Sequence, residues 1–249
     1  MSAEKDKKNM YCYRYPHPAV TVDCIIFAIH ENDLKVLLIQ RGADPYKNHW
    51  ALPGGFVEIN ESVDVAAERE LAEETGMEKI FLEQLYTFGE PKRDPRERVI
   101  SVAYYSLVRL KEHRPVAGSD ALNTCWYPIR QLPPLAFDHS QVMAMAIKRL
   151  QGKVIYAPII FDLLPGKFRL NQLRKVYEII LEKPIDAEGF RKKILATGML
   201  TPLNEFDSTE SGPPARLYRF DKKRYQKMLE EGFTFEIKPD APKKPAPKA

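Results

Sequence analysis

One predicted helix with an unusual concentration of acid on one face restricts this chain more than any other feature. The segment 62–75 has helical periodicity, and Gly76 directly after it supplies a C-terminal stop. Its apolar side is formed by Val63, Ala66, Ala67, Leu71 and Met77. Glu70, Glu73 and Glu74 stand at positions i, i+3 and i+4, so a helix brings all three carboxylates onto one face.

This arrangement of glutamates is unfavourable unless something compensates for it. Like charges at helical spacing cost roughly 0.2–0.5 kcal/mol per pair. Glu73 and Glu74 also lie in the last turn, beside the negative end of the helix dipole. Residues that go against the preferences of a helix are expected at functional sites, where a bound group offsets the cost. The simplest such group is a hard cation such as Mg²⁺, which prefers oxygen ligands. The alternative is an acid-rich helix face that is merely solvated.

The residues around these glutamates resemble a known signature. Residues 54–77 have the sequence GGFVEINESVDVAAERELAEETGM, which is similar to the Nudix box, G-x5-E-x7-R-E-U-x-E-E-x-G-U with U aliphatic. Every fixed position carries the expected residue type: Gly55, Glu61, Arg69, Glu70, Leu71, Glu73, Glu74, Gly76 and Met77. The chain is therefore identified as a member of the Nudix hydrolase superfamily.

The resemblance implies a role for each residue of the box. The catalytic set would be Glu70, Glu73, Glu74 and Arg69. The metal ligands would be the same three glutamates with Glu61, holding Mg²⁺ with Mn²⁺ as a substitute. Arg69 would hold a neighbouring glutamate by a charge-assisted hydrogen bond, and Gly55 would use positive φ in the loop that enters the helix. Water would attack a phosphorus of a diphosphate, with the general base left open between a box glutamate and the loop residues Glu90 and Glu97.

The rest of the first half fits an α/β sandwich. Segments 20–29 and 34–40 are predicted strands joined by a hairpin turn, and 81–88, 99–110 and 126–129 are predicted as further strands. Segment 139–150 has helical spacing and closes the unit. Strands flanked by two helices give a layered unit of about 150 residues. The resemblance refines this fold class to a Nudix α/β/α sandwich with a mixed sheet.

Residues outside the box indicate the substrate class. Four arginines match phosphate oxygens in geometry, with surface charge as the alternative: Arg41, Arg93, Arg96 and Arg98. With Gly55 and Trp50 they form the predicted substrate-binding set. Trp50, Tyr13 or Tyr15 is expected to stack on adenine, unless these are core or rim aromatics. Segments 50–54, 91–105 and 135–139 look like those of ADP-ribose-binding Nudix proteins, which implies a nucleoside diphosphate-linked small molecule as partner.

The second half is basic, since residues 165–232 hold 14 Lys and Arg against 10 Asp and Glu. A helix at 170–181, a second at 187–197 capped by Asp186, and a hairpin ending in 215–220 follow the order of a winged helix-turn-helix. Segments 161–178, 190–194 and 217–220 are similar to Nudix-related transcriptional regulators. This resemblance implies double-stranded DNA as a partner, through Arg191, Lys192, Lys193, Arg216 and Arg219, with dimerisation or packing alone as the alternative.

The sequence predicts four segments: a disordered N-terminus (1–10), a Nudix domain (11–155), a winged-helix domain (156–232) and a disordered tail (233–249). No apolar run approaches the roughly 18 residues needed to cross a bilayer, and three widely spaced cysteines suit a reduced, cytoplasmic protein. A regulator that reads palindromic DNA is expected to be a homodimer.

Three hypotheses of function follow. The first is a Mg²⁺-dependent hydrolase of ADP-ribose or a related nucleoside diphosphate sugar, which the intact box favours because many regulators of this kind have an eroded one. The second is a DNA-binding regulator of NAD or sugar metabolism that uses the Nudix domain as a sensor. Its wing departs from the family, with Gly212-Pro-Pro214 where an Arg beside the proline is common. A pure interaction module finds no support in an intact metal box.

Overall fold

The computed structural model describes residues 14–110, 121–207 and 214–237. Several predictions lie outside the described residues: the disordered N-terminus 1–10, the stacking role of Tyr13, the Gly212-Pro213 step of the wing and the tail from residue 238 onward. No helix among the described residues is long and apolar enough to cross a membrane.

The first half of the chain forms a mixed sheet with two helices. Its elements are β1 (Ala19–His30), β2 (Asp33–Arg41), β3 (Trp50–Ala51), β4 (Gly54–Phe56), α1 (Val63–Thr75), β5 (Glu83–Phe88), β6 (Val99–Val108), β7 (Ala121–Pro128) and α2 (His139–Tyr156). Over the described ranges, the sheet has seven strands in the order β3-β2-β1-β6-β5, with β4 paired to β1 and β7 paired to β2. β1 and β6 are parallel, and the other pairs are antiparallel.

Strand β1 shows why two helical layers are needed. Its side chains point alternately to opposite faces of the sheet, and both sets are fully buried. Val22, Cys24 and Ile26 pack with the apolar side of α1, whereas Ile25 and Phe27 pack on the face covered by α2. The sandwich with a helix on each face, predicted from the sequence, is confirmed.

The first turn agrees with the sequence prediction, whereas the ends of two elements differ from it. The β1–β2 hairpin is as predicted, because Glu31 and Asn32 both adopt positive φ, at 53° and 64°, as a tight two-residue turn requires. α2 continues beyond the predicted end at residue 150 to Tyr156, since Gly152 within it does not stop the helix. β7 begins five residues earlier than predicted, because residues 121–125 also pair with the second half of β2.

The second half has the elements of a winged helix. They are α3 (Leu170–Leu181), α4 (Ala187–Ala196), β8 (Leu200–Asp207), β9 (Ala215–Phe220) and α5 (Lys222–Glu230). Asp186 caps α4 as predicted, its side chain accepting a hydrogen bond from the Gly189 N–H at 2.7 Å. An isolated antiparallel bridge also pairs Phe168 with Tyr218 of β9.

One apolar core runs through both halves. Leu150 and Val154 at the end of α2 belong to the same buried cluster as Leu173, Tyr177 and other residues of the winged helix. The chain after α5 also joins this core, because Phe235 and Ile237 are buried and the Ile237 N–H donates to the Ile155 carbonyl at 2.9 Å. The prediction of a disordered tail from residue 233 therefore starts too early.

Candidate functional site

The acidic helix α1 is fixed at both ends by its own sequence. Ser62 caps its start by accepting a hydrogen bond from the Val65 N–H at 3.2 Å. Gly76 ends it in the left-handed conformation, with φ of 69°, and donates its N–H to the Ala72 carbonyl. Leu71 and Ala67 are buried against the sheet, so the register that buries them turns the glutamates outward.

Arg69 gathers the carboxylates of the box. Its guanidinium donates to both carboxylate oxygens of Glu61, at 2.6 and 3.0 Å. It also donates to Glu70 at 2.8 Å, to Glu73 at 3.1 Å and to the Phe56 carbonyl at 3.0 Å. This single cation therefore ties the middle of the helix to the loop that precedes it and partly neutralises the acidic face.

The carboxylates of the box lie in different electrostatic environments. Hydrogen bonds from Arg69 and from the backbone of Glu58 lower the pKa of Glu61 to about 2. Burial raises the pKa of Glu70, and Arg69 only partly offsets this effect. Glu74 accepts a hydrogen bond from the Gly54 N–H at 2.8 Å. Glu70 is thus a partly buried carboxylate whose desolvation is only partly offset by its hydrogen bond from Arg69.

Gly55 has a different role from the one predicted, because Gly54 rather than Gly55 has a positive φ, at 155°. The requirement at Gly55 is space. A Cβ at this position would lie 2.4 Å from Glu70 Oε1 and 2.5 Å from Glu70 Oε2, well inside van der Waals contact. The absence of a side chain at Gly55 therefore lets the Glu70 carboxylate pack against the loop.

A large cavity opens over the box, with a volume of about 930 Å³, a size typical of small-molecule sites. Glu58, Glu70, Glu74 and Arg69 line its acidic part. Its other wall carries two arginines and an aromatic ring, Arg41, Arg96 and Phe137. The cavity is thus lined by both carboxylates and guanidinium groups.

The predicted substrate arginines fall into three positions. Arg41 and Arg96 line the cavity with partly accessible side chains. The Arg93 side chain also borders it but is only 4% exposed, with its guanidinium bound to Asp138 at 2.7 and 3.0 Å and to Asp23 at 3.1 Å. Arg98 is not among the described residues that line the cavity, and it donates to the carbonyls of Glu90 and Val99.

Of the aromatic residues predicted to stack on a base, the two that the structure describes, Trp50 and Tyr15, do not line the cavity. The Trp50 ring packs edge-on against Tyr127, 4.9 Å between centroids, because β3 turns it towards the core. Tyr15 is 66% exposed and contacts Arg14. Among the described residues, the phenyl rings that line the cavity are Phe56 and Phe137.

A buried polar network in the wall of the cavity was missed from the sequence. Asp23, within the apolar strand β1, accepts hydrogen bonds from Arg93 and Ser101 and lies 3.3 Å from His139 Nε2. Burial alone would raise the pKa of Asp23, but His139, Arg93 and Ser101 together lower it well below its ordinary value. A charged residue inside an apolar strand was the available signal, since a buried charge needs partners.

The carboxylates fit a hard divalent cation by their chemistry, because Mg²⁺ takes oxygen ligands and keeps several waters. Among the residues described, however, no group of three or more His, Cys, Asp or Glu side chains is already arranged to hold a metal ion. Arg69 engages oxygens of Glu61, Glu70 and Glu73. The candidate general bases Glu90 and Glu97 are exposed, and neither is among the described cavity-lining residues.

The winged helix exposes its predicted basic residues. Arg191, Lys192 and Lys193 are exposed on α4, while Phe190 and Ile194 of the same helix are buried. Arg216 and Arg219 are exposed on β9. Beside α4 lies a groove of about 450 Å³ whose lining includes four arginines: Arg169, Arg174, Arg191 and Arg216.

Comparison with known families accounts for both halves. A model of the NUDIX domain matches residues 17–146, which is half of the chain, and a model of the NrtR DNA-binding winged helix domain matches residues 160–220. The chain belongs to the Nudix family, in its NrtR branch. The family assignment made from the box and the second half is thereby confirmed.

Relatives of this NrtR-type chain include both regulators and enzymes. The "ADPR responsive transcriptional repressor NtrR" of Acinetobacter baylyi is 35% identical over 224 residues, covering 87% of this chain and 89% of that protein. The "ADP-ribose pyrophosphatase" of Methanocaldococcus jannaschii is 44% identical over 138 residues, covering 55% of this chain and 78% of that protein. Similarity to the repressor thus extends over most of both chains, whereas similarity to the pyrophosphatase covers 55% of this chain.

Solved structures of NrtR from Shewanella oneidensis match the same architecture. The structure in complex with a 27mer DNA has a TM-score of 0.70 and 35% identity, covering 81% of this chain and 93% of that chain. Its NUDIX domain in complex with ADP ribose has a TM-score of 0.53 and 34% identity, covering 57% of this chain and 94% of that chain. The predicted fold, a mixed-sheet Nudix sandwich with a C-terminal winged helix, is confirmed.

Proposed function

We propose that this protein is a transcriptional regulator that binds DNA through its winged helix and senses ADP-ribose in its Nudix cavity. The observation that carries the proposal is that one hydrophobic core connects the Nudix cavity with the winged helix. The cavity over α1 and the basic face of α4 are connected through α2, whose far end packs into the winged helix. This reverses the order of the two hypotheses drawn from the sequence.

The DNA side of the proposal rests on charge and shape. In a winged helix-turn-helix the second helix enters the major groove, and here that helix is α4 with Arg191, Lys192 and Lys193 exposed. The arginines Arg216 and Arg219 of β9 extend the basic surface beside it. Guanidinium and ammonium groups in such positions bind phosphates and base edges.

The proposed ligand binding is supported by the cavity, which has an acidic and a basic wall. A nucleoside diphosphate sugar carries negative charge at its centre, which suits the guanidinium groups of Arg41 and Arg96. The proposed ligand is ADP-ribose because the repressor from Acinetobacter baylyi is named for its response to it and the Shewanella oneidensis NUDIX domain was solved with it.

Two binding measurements test this proposal. Calorimetry with ADP-ribose is expected to give saturable one-site binding, and a gel-retardation assay is expected to show a complex with double-stranded DNA selected by the protein from a random library. Sedimentation is expected to give the mass of a dimer, since proteins that bind palindromic DNA sites have a matching two-fold symmetry. A protein that binds neither ligand, or that binds only one of them, contradicts the proposal.

Hydrolysis of ADP-ribose is a second candidate function, favoured by the complete box and by the 44% identical pyrophosphatase. Glu70, Glu73 and Glu74, with Glu61, would hold Mg²⁺ or Mn²⁺. A metal bound there would activate water and neutralise charge on the leaving phosphate. Water would attack one phosphorus of the diphosphate and break its bond to the bridging oxygen, giving AMP and ribose 5-phosphate. The chain's own part is to hold the diphosphate at Arg41 and Arg96.

A matched pair of variants tests this activity. AMP formation from ADP-ribose is measured with Mg²⁺ and with Mn²⁺, for wild type, Glu73→Gln and Glu68→Gln. Glu68 is an exposed glutamate on the same helix outside the fixed positions of the box. If the site is catalytic, Glu73→Gln lowers the rate at least about tenfold, whereas Glu68→Gln leaves it unchanged. Absence of AMP in every case restricts the cavity to sensing.

A further inference from the structure

Phe137, which the sequence did not single out, lies at the centre of the cationic wall of the cavity. The Cζ atoms of Arg41 and Arg96 lie 4.9 and 5.6 Å from the centroid of its ring. The Tyr46 ring meets it edge-on, with the centroids 4.8 Å apart. Both guanidinium groups therefore lie against the Phe137 ring, in the geometry in which a cation is attracted to a ring; Arg96 also lies 5.0 Å from the centroid of the Phe56 ring.

The backbone of Phe137 is held in a conformation that bulky residues avoid. Its φ is 52°, in the left-handed region where an aromatic residue is an outlier. Such a conformation persists only where the surrounding structure enforces it, and it concentrates at functional sites. The next two residues are anchored, because Asp138 pairs with Arg93 and His139 accepts a hydrogen bond from the Leu52 N–H at 2.9 Å. The loop before α2 is thereby locked with the ring in the cavity wall.

The two arginines on this ring are unequal in their partners. Arg96 forms a two-pronged ion pair with Asp94, at 3.0 and 2.7 Å. Arg41 donates to the carbonyls of Pro45 and Ala43, and within the described residues no ion pair joins it to a carboxylate. Burial, followed by the nearby charge of Arg96, lowers the pKa of Arg41. An anionic group bound between the two guanidinium groups would relieve this repulsion.

We propose that Phe137 is a positioning residue, whose ring holds Arg41 and Arg96 as a pair that binds the diphosphate of the ligand. The inference rests on the proposed function, because it assumes a nucleoside diphosphate in the cavity. It adds a residue that acts on the ligand through two others. It also explains why an aromatic residue occupies a strained backbone position in the loop where α2 begins.

A double-mutant cycle tests the role of Phe137. The variants are Phe137→Leu, Arg41→Gln and the two combined, with Phe137→Tyr as the variant that keeps the ring. The probe is ADP-ribose with a methylene group in place of the bridging oxygen, which cannot be hydrolysed at that bond, and calorimetry is done with Mg²⁺ present. Arg41 is preferred to Arg96 for the cycle because removing Arg96 would leave the buried Asp94 without its ion pair.

The expected result is specific to a role exerted through arginine. Phe137→Leu weakens binding about fivefold to tenfold in the wild-type background. The loss is clearly smaller in the Arg41→Gln background, where only the contact with Arg96 remains, since coupled residues are not additive. Phe137→Tyr restores affinity to within about twofold. Equal losses in both backgrounds, or no rescue by tyrosine, overturn the inference.

Two further outcomes distinguish a failure of the proposed function from a failure of the inference about Phe137. If wild type does not bind the probe, the proposed function fails. If wild type binds and Phe137→Leu binds equally well, the inference alone is overturned. Thermal unfolding of each variant identifies a folding defect, in which case Phe137→Met, of similar volume without a ring, takes the place of Phe137→Leu in the cycle.

Discussion

Replacing Gly55 by alanine tests the account of the acidic helix in atomic terms. The added Cβ would lie 2.4–2.5 Å from three atoms of the Glu70 carboxylate, against 3.4–4 Å for ordinary contact. The carboxylate must therefore retreat by about 1 Å, which breaks its 2.8 Å hydrogen bond with Arg69. A hydrogen bond to a charged group contributes roughly 1.5–3 kcal/mol, and because the Glu70 side chain can rotate away, we expect a stability loss near the lower end.

The functional effect of this variant should exceed its effect on stability. Glu70 would leave the position where the box carboxylates converge, so affinity for Mg²⁺ in the presence of the methylene analogue of ADP-ribose should fall at least about tenfold. Calorimetry measures the affinity, and urea unfolding measures the stability. A variant that keeps wild-type Mg²⁺ affinity refutes the idea that Gly55 exists to make room for Glu70.

Gly152 offers a matched glycine-to-alanine control. It lies within α2, has no positive φ, and a Cβ there would meet no heavy atom within 4 Å. Alanine is favoured over glycine inside a helix by up to about 1 kcal/mol. Gly152→Ala should therefore be neutral or stabilising and should leave Mg²⁺ affinity unchanged, which separates the clash at Gly55 from the general effect of the substitution.

Three further predictions concern charge. Asp23→Asn removes one partner of the buried pair with Arg93, so urea unfolding should show a loss of about 3 kcal/mol, the low end for a broken buried pair. Glu61 has its pKa lowered from 4.5 to about 2, so its contribution to stability is complete above pH 4.5 and lost as pH falls toward 2; Glu61→Gln should flatten the pH dependence of the unfolding free energy in that window. The double variant Arg191→Ala, Lys192→Ala should weaken DNA binding and reduce the slope of log K against log salt by about 2 in magnitude.

Controls for these predictions exist in the chain. Lys148→Ala with Arg149→Ala removes one lysine and one arginine from an exposed part of α2, and should leave DNA affinity and its salt slope unchanged. Glu68→Gln should retain the wild-type pH dependence of stability. Equal DNA loss in both double variants would show that net charge, rather than α4, determines binding.

Local patterns in the sequence were sufficient for much of the fold. The spacing of Leu71 and its apolar neighbours, with Ser62 and Gly76 at the ends, determines α1 without help from distant residues. The same holds for the β1–β2 hairpin and for α3 and α4. α5 was missed because its apolar side is short: it consists of Tyr225, Met228 and Leu229, and none of these residues is fully buried.

The cavity could be predicted only in part, because its walls come from distant segments. The glutamates and Arg69 lie within one helix and its entry loop, where spacing alone brings them together. The network of Asp23, Arg93 and Asp138 joins residues that are 70 and 45 positions apart. Phe137 meets Arg41 and Arg96 only because the loops carrying them converge above the sheet. Contacts between residues so far apart in the chain cannot be predicted from local periodicity.

The central claim is that the cavity and the winged helix are coupled in one regulator. Fluorescence anisotropy of a labelled, selected DNA duplex, titrated with the protein with and without saturating ADP-ribose analogue, tests it most directly. We predict that the analogue changes the Kd for DNA at least about fivefold, and that DNA changes the Kd for the analogue by the same factor, because linkage is reciprocal. DNA binding with a Kd that the analogue leaves unchanged contradicts the account.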